Sequence, residues 1–152
     1  MEMKIRKLII VTFVLLSSFA VSADVLRGVK EITILVEGLD EDASKCNISK
    51  DMIDASVRLP LSNSRIKIVR PEDLPDSYLY AYVMTIDSGT MCRMYVELAY
   101  YKFINSEKIY GQFWRKNVLL SNNKASTAKV VGDVFEAFTK QFVSAWLKAN
   151  PN

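Results

Sequence analysis

The sequence predicts an α+β fold, a two-layer sandwich in the order β-α-β-β-β-β-α, with an antiparallel meander carrying two helices on one face. Three observations predict it. Residues 30–39 alternate apolar and polar with the period of a strand. Residues 78–116 read as strands joined by tight turns, and residues 125–149 carry apolar side chains every three or four positions, the period of a helix.

The first residues stand apart from this fold. Lys4, Arg6 and Lys7 precede an apolar run from Leu8 to Leu16 broken only by Thr12, and Val21-Ser22-Ala23 supplies small residues for cleavage. That is the three-part pattern of a secretory signal peptide over residues 1–23. The apolar run is shorter than the roughly 20 residues needed to span a bilayer, so no stable membrane anchor is expected after cleavage. With no cysteine just after the run, a lipid anchor of the bacterial lipoprotein kind is not expected either. The remaining residues 24–152 make one α+β domain of 129 residues, long enough to bury a core. Removing the leader lowers the basic residues from 20 to 17 and the acidic from 17 to 16, a net charge of +1. Such a domain lacks the electrostatic footprint of a nucleic-acid binder.

In the first strand Ile32, Ile34 and Val36 point one way and Glu31, Thr33, Leu35 and Glu37 the other. Glu37, Asp40, Glu41 and Asp42 follow as a solvated acidic turn whose spacing lacks the alternating ligands of a calcium loop. Ser49 is placed to cap a helix, with Ile48 and Ile53 as a hydrophobic staple, Met52, Ile53, Ser56 and Val57 facing inward, and Pro60 as its stop. Asn47-Ile48-Ser49 is a glycosylation sequon, of consequence only in a eukaryotic source. A short strand from Arg65 to Arg70 follows, then a link bracketed by Pro71 and Pro75.

The meander carries the most information. With Ser88-Gly89 as a two-residue connection and Asp87 facing Thr90, Thr85 meets Cys92, Val83 meets Met94, Ala81 meets Val96 and Leu79 meets Leu98. The opposite face pairs Met84 with Arg93, Tyr82 with Tyr95 and Tyr80 with Glu97. One side is aliphatic and holds a cysteine; the other is aromatic and charged. A second hairpin with Ser106-Glu107 at its tip sets Phe103 against Tyr110, Tyr101 against Gln112, Ala99 against Trp114 and Glu97 against Lys116. This register leaves Arg115 on the aliphatic face, where it must snorkel outward. Ser121 to Lys124 is a polar loop, and the closing helix faces inward through Ala128, Val131, Phe135, Phe138, Phe142 and Ala145. Within it, Gly132 leaves room for a strand to approach closely, and Asn150-Pro151 ends it.

Cys46 and Cys92 are the only cysteines. In an oxidising compartment such a pair is most simply one disulfide, here pinning the first helix to the sheet. There is no histidine, which removes Ser-His and Cys-His nucleophile systems and the commonest metal ligand. No phosphate-cradling glycine loop is present. No metal and no cofactor are therefore expected, and no catalytic residue is assigned.

The element order and the stretches Leu35-Val-Glu-Gly-Leu-Asp-Glu-Asp42 and Phe142-Val-Ser-Ala-Trp-Leu-Lys-Ala-Asn-Pro151 resemble small exported bacterial α/β proteins. Among these are the domain at the N-terminus of TolB, the penicillin-binding-protein activator lipoproteins and uncharacterised exported proteins. The resemblance implies docking to other envelope components and carries over no site residue.

The surface singled out is the aromatic face: Tyr78, Tyr80, Tyr82, Tyr95, Tyr101, Phe103, Tyr110 and Trp114. It suits an interaction surface, and equally a sheet wetted on one side and stiffened by cross-strand aromatics. The function expected is that of a periplasmic or secreted accessory protein, not an enzyme, binding an envelope protein or a second copy through that face. Two alternatives stand beside it: a small glycan-acting enzyme using Glu97, and an inhibitor or immunity-type protein that plugs a target with the Ser88-Gly89 tip or the 71–76 loop.

Overall fold

The alternation of residues 31–36 does build a strand, and its partners define the molecule. The structure is a computed structural model that describes residues 23–73 and 76–152; the expected signal peptide falls almost wholly outside the described residues. In chain order the elements are α1 (Ala23–Leu26), β1 (Glu31–Val36), α2 (Glu41–Lys45), α3 (Lys50–Ser62), β2 (Lys67–Ile68), β3 (Ser77–Asp87), β4 (Met91–Ile104), β5 (Ile109–Asn123) and α4 (Thr127–Ala149). Single 3-10 turns at Pro71–Asp73 and Lys124–Ser126 precede β3 and α4. The sheet runs β2-β1-β3-β4-β5. β1 is parallel to both neighbours, and β3, β4 and β5 form the antiparallel meander. The fold is α+β, with the long helices on one face.

The core lies between that face and the helices. Ile32 and Ile34 of β1, Leu79, Ala81 and Val83 of β3, and Met94, Val96, Leu98 and Tyr100 of β4 are buried together. They pack with Ile53, Val57 and Leu61 of α3 and with Val131, Phe135, Phe142 and Trp146 of α4. Ser49 caps α3, its hydroxyl accepting from Met52 N at 3.2 Å, and both staple residues, Ile48 and Ile53, are buried. Pro60 does not stop the helix. It and Leu61 are both buried in the last turn, and burying them outweighs the backbone hydrogen bond a proline removes.

In α4 the buried stripe is Thr127, Val131, Phe135, Thr139, Phe142, Trp146 and Ala149. The expected Ala128, Phe138 and Ala145 flank it half-buried. The indole of Trp146 turns the stripe, donating to Val29 O at 2.8 Å and carrying the Arg65 guanidinium 5.3 Å above its ring. Gly132 admits a helix and not a strand: a Cβ there would lie 3.0 Å from Ser56 Oγ and 3.5 Å from Met52 Sδ of α3.

The acidic turn is a helix end. Asp40 caps α2, accepting from Ala43 N at 2.7 Å. Its second oxygen accepts from Thr85 N at 3.3 Å, and Asp42 accepts from Asp87 N at 3.2 Å. Both donors lie on β3 beyond the point where β1 ends, so two carboxylates take over the hydrogen bonding of a missing strand. The disulfide between Cys46 and Cys92 ties the end of α2 to the start of β4.

Both hairpins differ in register from expectation. In the first, Ser88 N donates to Met91 O at 2.9 Å, so Gly89-Thr90 forms the tip and Asp87 faces Cys92. Gly89 takes φ +83, the conformation that a type II′ turn demands of its first central residue. The slip of two keeps every side chain on its expected face, so Val83 meets Val96 and Tyr82 meets Glu97. In the second hairpin Phe103 faces Tyr110 and Tyr101 faces Gln112 as expected, and then the register shifts at Tyr100/Tyr101. The extra residue on β5 is Phe113, a β-bulge. Past it Tyr100 faces Trp114, Ala99 faces Arg115 and Glu97 faces Asn117. Gly111 belongs to the same feature, since a Cβ there would fall 2.9 Å from Ile104 Cδ1 and 3.0 Å from the Phe113 ring. Ser121 to Asn123 continues β5 and is no loop.

Candidate functional site

Seven of the eight expected aromatic residues share the face of the sheet turned away from the helices. Tyr78, Tyr80 and Tyr82 of β3, Tyr95, Tyr101 and Phe103 of β4, and Tyr110 of β5 occupy it; all but the exposed Tyr110 are half-buried. The buried residues of α3 and α4 belong to the core cluster with Leu79, Val83 and Val96, whose side chains alternate with these rings along the strands. The eighth does not belong. The bulge at Phe113 turns Trp114 inward, where it is buried 5.5 Å from the Phe142 ring. A strand without the extra residue would have left the indole outside, which is why alternation alone misplaces it.

The rings are organised among themselves. Tyr78 stacks on Tyr101 at 5.1 Å and meets Tyr110 edge-on at 5.2 Å, Tyr80 meets Tyr101 edge-on at 6.1 Å, and Phe103 tilts against Tyr110 at 5.2 Å. Tyr82 links Tyr80 and Tyr95 at 6.4 and 6.2 Å. These are the offset and T-shaped geometries that stabilise aromatic pairs. Burial, with its tyrosine neighbours second, raises the Tyr78 phenol above its ordinary value.

The carboxylates on this face are already engaged. The Tyr80 hydroxyl donates to Glu37 and the Tyr95 hydroxyl to Glu97. Burial first, and the Glu97 hydrogen bond second, push Tyr95 up to about 12. Arg115, moved outward by the bulge, comes within 4.0 Å of Glu97. The cross-strand pair expected between Glu97 and Lys116 is therefore replaced by Glu97 with Arg115, because Lys116 faces Leu98 on the other side.

Three aliphatic side chains extend the face toward the first hairpin. Met84 is 47%, Ile86 54% and Leu119 79% exposed, and with Arg93, Tyr95 and Ser121 they border a shallow apolar hollow of about 370 Å³. Met84 and Ile86 were legible from strand alternation, whereas Leu119 depends on the bulge. At the other end of the molecule, Arg27, Lys30, Arg65 and Lys148 line an open cleft of about 680 Å³ beside Trp146. Among the described residues the cluster of metal-ligating atom types is Cys46, Asp87 and Cys92, and both of its sulfurs are held in the disulfide.

No protein-family model matches the chain, and no curated protein matches it. Among solved structures, the chain is similar to a minor lipoprotein from Acinetobacter baumannii at 8% identity and a TM-score of 0.45, covering 78% of this chain and 93% of that one. It is similar to PelC from Paraburkholderia phytofirmans, described as a dodecamer, at 13% identity and 0.47, covering 77% and 88%. It is also similar to uncharacterized lipoprotein B from Nitrosomonas europaea, at 11% and 0.41, covering 82% and 90%. The expected TolB likeness finds no support in these three, and no residue role transfers from them. The joined cysteines fit an exported protein in an oxidising compartment. No helix among the described residues is long and apolar enough to cross a membrane.

Proposed function

We propose that the chain is a periplasmic accessory protein, without catalysis of its own, that binds a partner protein across the outer face of its sheet. One observation carries this reading: a broad face of seven aromatic rings and three exposed aliphatic side chains that the chain's own core helices leave uncovered. Contiguous apolar surface of this kind marks interaction sites, and tyrosine is enriched where proteins meet.

A protein suits the face better than a glycan does. Sugars stack on open ring faces, and here much of the ring surface is turned toward neighbouring rings, as in the Tyr78–Tyr101 stack. What is offered outward is ring edges, hydroxyls and the aliphatic group of Met84, Ile86 and Leu119, which complements another protein's apolar side chains. The non-catalytic reading is supported by the lack of histidine and by Glu97, whose carboxylate is taken up by Tyr95 and Arg115.

A photo-crosslinking residue at position 82, compared with one at position 140 on the helical side, tests the reading in the intact envelope. A discrete adduct is expected from position 82 alone, lost when Tyr101 is replaced by Ser in a chain that still folds. Equal labelling from both positions, or none from position 82, overturns it.

A further inference from the structure

We infer that the free edge of β5 pairs with the β5 edge of a second copy of this chain, antiparallel about a two-fold axis near Leu119, joining two five-stranded sheets into one. The inference concerns the sheet edge and does not depend on the partner proposed for the sheet face.

The edge follows from the hydrogen-bond phase. The bond from Ser88 N to Met91 O assigns Met91, Arg93, Tyr95 and Glu97 of β4 to β3. The alternate residues Cys92, Met94, Val96 and Leu98 therefore bond to Asn122, Leu120, Val118 and Lys116 of β5. Lys124 N, bonded to Thr90 O at 3.0 Å, keeps the same phase. Arg115, Asn117, Leu119 and Ser121 are left with N–H and C=O groups directed away from the sheet, on the side where the strand order ends.

The chain treats its two long edges differently. Where β3 outruns β1, the carboxylates of Asp40 and Asp42 occupy the exposed amides. The opposite margin of the sheet is β2, only two residues long. β5 has neither device. It is 15 residues long, and its second half, Asn117-Val-Leu-Leu-Ser-Asn-Asn123, contains no charge and no proline. Charged side chains, prolines, bulges and short edges are among the means by which proteins prevent strand pairing; the bulge at Phe113 and the charges of Arg115 and Lys116 lie in the first half of β5, and the segment beyond them has none of these. At its centre stands Leu119, 79% exposed.

A second copy is the occupant that fits. Antiparallel pairing centred on Leu119 sets the two Leu119 side chains opposite each other on the outer face and each Asn117 opposite Ser121 of the second copy. Arg115 of each copy then faces the uncharged Asn123 of the other, so the cations at the start of the segment never meet one another. The adjoining hollow of Met84, Ile86 and Tyr95 gives the paired leucines an apolar floor on both sides of the axis.

Sedimentation of the exported protein, disulfide intact, tests the pairing. A dimer at micromolar concentration is expected. Leu119→Lys, which places like charges opposite each other, should weaken it by roughly a hundredfold or more. Leu119→Pro removes only an outward N–H and should give a monomer with an unchanged circular-dichroism spectrum. Tyr82→Ser, on the face rather than the edge, should leave the dimer intact. In hydrogen exchange the amides of Asn117, Leu119 and Ser121 should be protected in the wild-type dimer and fast in Leu119→Lys. A monomeric wild type, a dimer surviving both Leu119 substitutions, one abolished by Tyr82→Ser, or fast exchange at those amides in the wild type each overturns the inference.

Discussion

Reducing the disulfide isolates one term in the stability of this fold. Cys46 and Cys92 are 46 positions apart in sequence, and both are fully buried. Reduction removes no side chain and opens no cavity, so the loss comes chiefly from the freed chain. Closing a loop of this length lowers the entropy of the unfolded state by an amount worth about 4 kcal/mol at 25 °C. For a chain of this size that corresponds to a fall in Tm of roughly 10–15 °C. Urea unfolding of the oxidised protein, of the protein refolded under reductant and of the Cys46→Ala, Cys92→Ala double variant measures it. The reduced forms should also show a steeper denaturant dependence, because an unlinked chain expands further. The bridge further holds α2, whose Asp40 and Asp42 accept from the amides of Thr85 and Asp87. Those two amides should lose exchange protection before the rest of β3. A difference under about 1 kcal/mol between oxidised and reduced protein, with unchanged protection at Thr85 and Asp87, would refute this account.

The remaining predictions probe the faces and the edge. Trp114→Ala should cost about 3–5 kcal/mol in urea unfolding, as for a large buried ring, whereas Tyr110→Ala, 44% exposed on the outer face and losing its ring pairs with Tyr78 and Phe103, should cost about 1–2 kcal/mol. Tyr95 is raised from an ordinary value of 10.0 to about 12, so the folded state holds its proton more tightly than the unfolded. Its contribution to stability is fully present below pH 10 and is lost as pH climbs toward 12; Tyr95→Phe should remove one late step from a tyrosinate absorbance titration. Asp40→Ala should cost about 1–2 kcal/mol, because the α2 cap and the partner of Thr85 N go together, with faster exchange at the Thr85 amide as the diagnostic.

The parts of this fold legible in the sequence are those governed by period. Alternation in β1, β3 and β4 assigned Ile32, Ile34, Val83 and Val96 to one side and Tyr78, Tyr80, Tyr82, Tyr95 and Tyr101 to the other, and this survived a slip of two at the first hairpin because such a slip preserves parity. Ser49 and its staple were legible because capping is local. The bulge was not. A single extra residue has no period, and its one trace was Arg115 landing on an aliphatic face in the unbulged register. That misfit, read as a signal and not as a snorkelling side chain, together with the neighbouring glycine at position 111, would have turned Trp114 inward and Leu119 outward. Trp146 escaped for another reason: its partners, Val29 O and Arg65, lie 117 and 81 positions away in the chain.

The outer face combines two surfaces that would respond differently to a partner. Toward the second hairpin, Tyr78, Tyr101, Phe103 and Tyr110 already hold one another at 5.1–5.2 Å, and the hydroxyl of Tyr101 accepts from Gln112 at 2.8 Å. Side chains ordered before encounter lose little freedom on binding, so their contact area converts to affinity with a small entropic cost. Toward the first hairpin, Met84 and Leu119 flank Tyr95 on either side and, with Ile86, are about half or more exposed. Flexible aliphatic side chains can repack against whatever shape arrives, at about 0.5–1.5 kcal/mol for each one immobilised. Selectivity should therefore reside in the tyrosine half and tolerance in the aliphatic half. Tyr101→Ser, which removes the ring shared by Tyr78 and Tyr80, should weaken a partner more than Met84→Ala does. Equal losses from the two substitutions would mean that the rings are not organised in solution as they are in this fold.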